Sequence, residues 1–159
     1  MKKEQVEEFL KENNAIEEVF DDDSLQQARY AWKYLMGQDL LTVKVILKTH
    51  KILMLNQNLL PNEKGYFRKI PVYIGGKVVL NSSYIPAHIQ QWCFEGIRMF
   101  PPIDPKKLHI QYEKIHPFVD GNGRTGRMFM NWQRIKRLKQ PILIIHTGKE
   151  QQEYYKWFK

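Results

Sequence analysis

One stretch of this chain, residues 116–127, reads HPFVDGNGRTGR and restricts the fold and chemistry more than any other. Gly121 and Gly123 permit positive φ and close backbone approach, which a row of inward-pointing N–H groups needs. The pattern from Arg124 to Lys139 is helical, so the turn stands at a helix N-terminus, where free N–H groups favour anions. Arg124 and Arg127 add guanidinium forks suited to phosphate oxygens. Asp120 offers a carboxylate, and Mg²⁺ typically takes one or two of these plus phosphate oxygens and water. His116, at the head of the turn, is suited to act as a general base. These residue types in this order describe a nucleotide-polyphosphate site with a base at its edge.

The stretch resembles the signature of the Fic (filamentation induced by cAMP) family, H-x-F-x-[D/E]-G-N-G-R-x-x-R. His116, Phe118, Asp120, Gly121, Asn122, Gly123, Arg124 and Arg127 occupy its eight fixed positions. With each residue type at roughly 5% usage, a chance match at one start is about ten orders of magnitude below unity.

A chain of 159 residues is expected to form one domain, 1–159, with residues 24–159 as a Fic-like core and 1–23 as a candidate inhibitory segment. Cys93 is the sole cysteine, which excludes an internal disulfide and fits a reducing compartment. No run of apolar residues reaches the length of a membrane span, and the first residues carry no apolar signal core. The expectation is a soluble, cytoplasmic protein with no membrane partner. The net charge of +8 is spread along the chain without a nucleic-acid motif, so direct nucleic-acid binding is not expected.

The remaining pattern is mainly helical. Val6, Phe9, Leu10, Ile16 and Phe20 suggest an amphipathic first helix broken near Asn13-Asn14. Ser24 and Gln27 predict a capping box for the next, which Gly37 ends. A third helix begins after Thr42 and contains His50, read as a packed structural histidine. Val72, Ile74, Val78 and Val79 flank Gly75-Gly76, a hairpin signal, with Pro71 arguing for an edge. Helices starting near Pro86 and at Asp104-Pro105 follow; the latter carries a structural His109 and leads into His116. Met128, Trp132, Ile135 and Leu138 form the apolar face after the motif. Ile142–Ile145 reads as extended, and Thr147–Glu150 as a second capping box.

The resemblance implies a Fic-type helical bundle with a short β-hairpin flap, here Val72, Tyr73, Ile74 and Gly75, over the active site; a connector hairpin would show the same pattern. It also implies transfer of AMP from ATP to a Tyr, Thr or Ser hydroxyl of a target protein. His116 would then be the catalytic base, Asp120 the Mg²⁺ ligand, and Phe118 the core anchor of the loop. Gly121, Asn122 (also by its side chain), Gly123, Arg124 and Arg127 would bind the phosphates. Other branches of the family transfer phosphate, another nucleotide or phosphocholine, and a binding module without turnover is a further reading. Many Fic proteins hold an inhibitory helix, [S/T]-x-x-x-E-[G/N]. Residues 13–18, NNAIEE, are similar to it, with Glu17 as the inhibitory glutamate opposite Arg127. Asn13 and Glu18 depart from the pattern, and an ordinary solvated Glu17 is the alternative.

Overall fold

The helix after the motif, α6 (Asn122–Trp132), lies at the centre of the molecule, and every residue in it but Gly123 is buried. The computed structural model describes residues 2–159. Around α6 pack α1 (Lys3–Ala15), α2 (Asp22–Met36), α3 (Val43–Leu53) and α5 (Pro105–Ile115), while α4 (Ile85–Arg98) lies on α5. A final helix, α7 (Lys149–Tyr155), follows the extended residues 142–145, which join no sheet. The sole sheet among the described residues is the antiparallel pair β1 (Tyr73–Ile74) and β2 (Lys77–Val78). Gly75 and Gly76 turn it with φ of 55° and 77°, the left-handed pair that a tight hairpin requires. The mainly helical bundle with a small hairpin agrees with the expectation from sequence. No described helix is long and apolar enough to cross a membrane.

One apolar core unites Phe9, Ala28, Trp32, Leu35, Ile46, Ile89, Trp92, Tyr112, Phe118 and Phe129. Burial of α6 on all sides is tolerable because most of its polar side chains are bonded, as buried polar groups usually are. Thr125 Oγ1 reaches the Gly121 carbonyl and the Tyr112 hydroxyl, and Asn131 pairs with both the N–H and the carbonyl of Leu143. The helix then widens into a π-turn at Gln133–Arg137, which leaves Ile135 and Leu138 only partly buried. Cys93, His50 and His109 are buried, as expected for structural residues.

α1 ends at Ala15, close to the expected break, with both asparagines buried and Asn13 bonded to α6. Two helix starts differ from the sequence reading. Asp21, not Ser24, caps α2: Asp21 Oδ1 accepts from the Ser24 N–H at 2.7 Å. Ser24 Oγ is taken by Asn56 and Gln57 instead. α7 starts at Lys149 after Gly148 (φ 94°), without a Thr147 cap, and Glu150 turns back to His146. The Thr42 cap of α3, the Gly37 end of α2 and the Asp104-Pro105 start of α5 stand as read.

Gly126 sits where α5 and α6 cross. A Cβ there would lie 2.8 Å from a His109 ring atom and 2.9 Å from one of Tyr112. Overpacking of this kind costs about 1–3 kcal/mol, while alanine regains up to about 1 kcal/mol of helix propensity. Gly126→Ala is therefore expected to destabilise by about 1–2 kcal/mol; an unchanged melting temperature would show that the helices can separate freely.

Candidate active site

The α5–α6 corner builds the site. α5 ends with His116 in the left-handed region, φ 49° and ψ 64°, a conformation unfavourable for a residue with a side chain. It is held from both sides: the His116 N–H donates to the Tyr112 carbonyl at 2.9 Å, and Arg68 Nε donates to the His116 carbonyl at 2.7 Å. The buried Arg68 also bonds to the carbonyls of Ile70 and Leu80, the two roots of the hairpin, and its own N–H to the Pro117 carbonyl. The hairpin and the turn bearing His116 thus share one guanidinium. Burial, and secondly Arg68, push the His116 pKa below its ordinary value, which keeps the ring neutral and suited to accept a proton.

The loop after His116 is organised from within. Phe118 is fully buried and stacks on the His50 ring at 3.7 Å between centroids. His50 Nδ1 accepts from the Gly65 N–H, so its Nε2–H donates to the Asp120 carbonyl at 2.8 Å. The Asn122 side chain bonds to both the N–H and the carbonyl of Phe118, each at 2.9 Å. This corrects the expectation that the Asn122 amide reaches a phosphate: both of its polar ends are committed to the loop. Gly121 (φ 83°) opens α6, and the N–H groups of Asn122, Gly123 and Arg124 make no bond within the protein, leaving an anion cradle.

A cavity of roughly 770 Å³ joins these parts. His116, Asp120, Gly121, Asn122, Gly123 and Arg127 line it, together with Glu17, Glu113, Ile74, Val78, Tyr155 and Phe158. Phe118 and Arg124 do not line it, nor do Val72, Tyr73 or Gly75 of the hairpin. Arg124 lies behind the loop, bonded to Met54 Sδ and 4.0 Å from Asp120 Oδ2, with Nε and Nη1 unpartnered. Asp120 is the exposed carboxylate at the rim, its Oδ1 accepting from the Gly121 N–H. Among the described residues no group of three or more His, Cys, Asp or Glu is arranged to hold a metal. A single exposed carboxylate beside an anion cradle fits Mg²⁺ carried on nucleotide phosphates, since most of its ligands are then phosphate oxygens and water.

Arg127 is the most heavily bonded of the motif residues. Nε donates to Asn13 Oδ1 at 2.6 Å, Nη2 to the Asn13 carbonyl and Glu17 Oε1, and Nη1 to the Tyr154 hydroxyl. The Glu17 carboxylate lies 2.8 Å from Arg127 and over the start of α6: a Cβ on Gly123 would stand 2.4 Å from Glu17 Oε1. Sequence reasoning missed Arg68, Glu113 and Tyr154, and read Asn13 only as a departure from the inhibitory pattern. A carboxylate one helical turn before His116 was the one signal available for Glu113; Arg68 and Tyr154 have no local signature.

Known proteins agree with this geometry. The profile of the Fic/DOC family matches residues 40–133. Proteins named protein adenylyltransferase Fic from Drosophila erecta and Aedes aegypti are 32% and 33% identical over 75% and 67% of the chain. The chain spans about a quarter of their length, 24% and 22% respectively. A Fic-1 structure from C. elegans superposes with a TM-score of 0.81 at 22% identity, covering 98% of this chain and 55% of that one. A Fic domain containing signaling protein from Bacteroides thetaiotaomicron gives 0.79 at 18% identity, covering 96% and 70%. A helical bundle that presents a left-handed histidine to a Gly-Asn-Gly helix start, matched by family profile over more than half its length, belongs to the Fic/DOC family.

Proposed function

We propose that this chain is a protein adenylyltransferase, transferring AMP from ATP to a Tyr, Thr or Ser hydroxyl of a target protein with release of pyrophosphate. The observation that carries the reading is the Glu17 carboxylate lying against Arg127 and Gly123: the cradle already receives an anion of this chain, across one cavity from a neutral histidine. The names of the curated relatives support the same chemistry.

In this reading the phosphates lie on the N–H groups of Gly123 and its neighbours and on Arg127. Arg124 adds its charge from behind the loop. Ile74 and Val78 on the hairpin and Tyr155 and Phe158 opposite offer apolar walls for the base. Mg²⁺, bound at Asp120 with the nucleotide, would neutralise phosphate charge. His116 Nε2 takes the proton of the target hydroxyl as its oxygen bonds to the α-phosphorus, and the bond from that phosphorus to the bridging oxygen breaks. Positioning and charge stabilisation dominate such reactions. The hairpin residues Val72, Tyr73, Ile74 and Gly75 offer an exposed edge along which an extended target segment could add as a strand.

Intact-protein mass spectrometry after incubation with ATP and Mg²⁺ tests the proposal. A gain of about 329 Da on this chain or a target is expected for AMP; about 80 Da would indicate phosphate transfer instead. No gain, even with Glu17 replaced, would favour a binding module.

A further inference from the structure

Two buried polar groups without hydrogen-bond partners face each other at the edge of the cavity. One is Nδ1 of His116; the other is the carboxyl of Glu113, one turn earlier on α5, whose Oε1 is buried and unpartnered. Oε2 lies 3.8 Å from Nδ1, an ion-pair separation a little beyond hydrogen-bond length. Buried polar groups are nearly always bonded, so such a pair of orphans calls for an explanation. His116 Nε2 makes no hydrogen bond and is absent from the buried unpartnered atoms, so it is the ring nitrogen open to the cavity.

The surroundings oppose a positive ring. Burial and then Arg68 disfavour the imidazolium; the Glu113 main chain, then Asp120 and Glu17, favour it more weakly. A base nevertheless ends its step protonated, and needs an anionic partner at that moment. Among the described residues Glu113 is the only carboxylate within ion-pair reach of the ring. Burial raises the Glu113 pKa to about 7, with Arg127 on α6 opposing and Glu17 adding to the rise. Tyr154 on α7 and Tyr112 on α5 are the other titratable groups that feel its charge.

We infer that Glu113 is a positioning residue for His116: its carboxylate holds the Nδ1–H tautomer, leaves the Nε2 lone pair on the cavity and balances the imidazolium. The tautomer stands independently of any reaction, whereas the charge-balancing half rests on the transfer proposed above. In that step the hydroxyl proton passes to Nε2, the oxygen–phosphorus bond forms and pyrophosphate departs. Nδ1 keeps its own proton and closes onto the carboxylate, as in other histidine–carboxylate pairs. The carboxylic acid form would donate to Nδ1 and drive the ring proton onto Nε2, silencing the base. Transfer should therefore rise as Glu113 ionises around pH 7.

The test uses the full chain with ¹⁵N-labelled histidine. At about pH 8, above the Glu113 transition, wild-type His116 is expected as the Nδ1–H tautomer. Glu113→Met should lose that preference, slow auto-modification from ATP by about 10- to 100-fold, and flatten the rise around pH 7. Its ATP affinity should stay within about twofold, the signature of a group felt in the chemical step alone. Glu113→Gln keeps an acceptor without the charge, so it should restore the tautomer and only part of the rate. Wild type in the Nε2–H form, or Glu113→Met with unchanged tautomer and rate, would overturn the inference. Should Glu113→Met not fold, the wild-type titration decides: loss of Nδ1–H as the pH falls through the Glu113 transition supports it, and its persistence overturns it. A tautomer that responds as expected in a protein that transfers nothing would leave the positioning role standing and remove the adenylyltransferase reading.

Discussion

His116→Ala is expected to lower AMP transfer by about 10²- to 10⁴-fold, the contribution of a positioned base, while ATP affinity is retained. The separation of effects follows from where the ring lies. It lines the cavity but makes no hydrogen bond to the Gly121–Gly123 backbone or to Arg127, so removing it leaves the anion cradle intact. The fold should also survive. The left-handed turn is held by the backbone bonds to Tyr112 and Arg68, which alanine keeps. Radiolabel transfer and an ATP titration on the same preparation check both halves. Equal transfer by the mutant would remove His116 from the base role; a parallel loss of ATP affinity would make it a nucleotide contact instead.

Glu17→Gly is expected to raise transfer by roughly 5- to 30-fold. Arg127 is buried and already donates to Asn13, Tyr154 and Glu17, so a terminal phosphate must compete with the glutamate for the same fork. Hydrogen bonds to charged groups are worth about 1.5–3 kcal/mol and exposed ion pairs about 0–1 kcal/mol. The Glu17 side chain is 41% exposed against 2% for Arg127, so about 1–2 kcal/mol is the fitting range, and each 1.36 kcal/mol is about tenfold. The neighbouring residue offers the opposite change. Glu18 has a φ of 57°, a left-handed position that glycine occupies without strain. Glu18→Gly should therefore firm the segment and slow transfer further. Steady-state rates of the two variants beside wild type measure both effects; identical rates for Glu17→Gly and wild type would make Glu17 a surface glutamate without regulatory weight.

The departures at positions 13 and 18 show how far a local pattern reaches. Asn13 stands where the pattern has serine or threonine, yet its amide accepts from Arg127 Nε at 2.6 Å and donates to the Arg124 carbonyl. Its carbonyl also accepts from Arg127. The function of the position is hydrogen bonding across more than a hundred residues of chain, and an amide supplies it as well as a hydroxyl. Glu18 holds a left-handed backbone conformation at a cost in strain, which no reading of residue types reveals.

What the sequence by itself determined is the family, the mainly helical fold with its glycine-turned hairpin, and the helix starts at Thr42, Pro86 and Asp104. These depend on short-range periodicity, backbone-permissive residues and a motif of fixed spacing, all expressed within a few turns of chain. Tertiary structure alone decided which side chains meet. It turned the Asn122 amide inward onto Phe118 and drew Arg124 behind the loop toward Met54. Arg124 found its partner 70 residues along the chain, and the Asn122 bonds close a loop that packing has buried. The cost of leaving a buried polar group unbonded outweighs the small local propensities that sequence reading uses. The Arg68 clasp has the same origin: it exists only once the hairpin and the end of α5 have been brought to one corner.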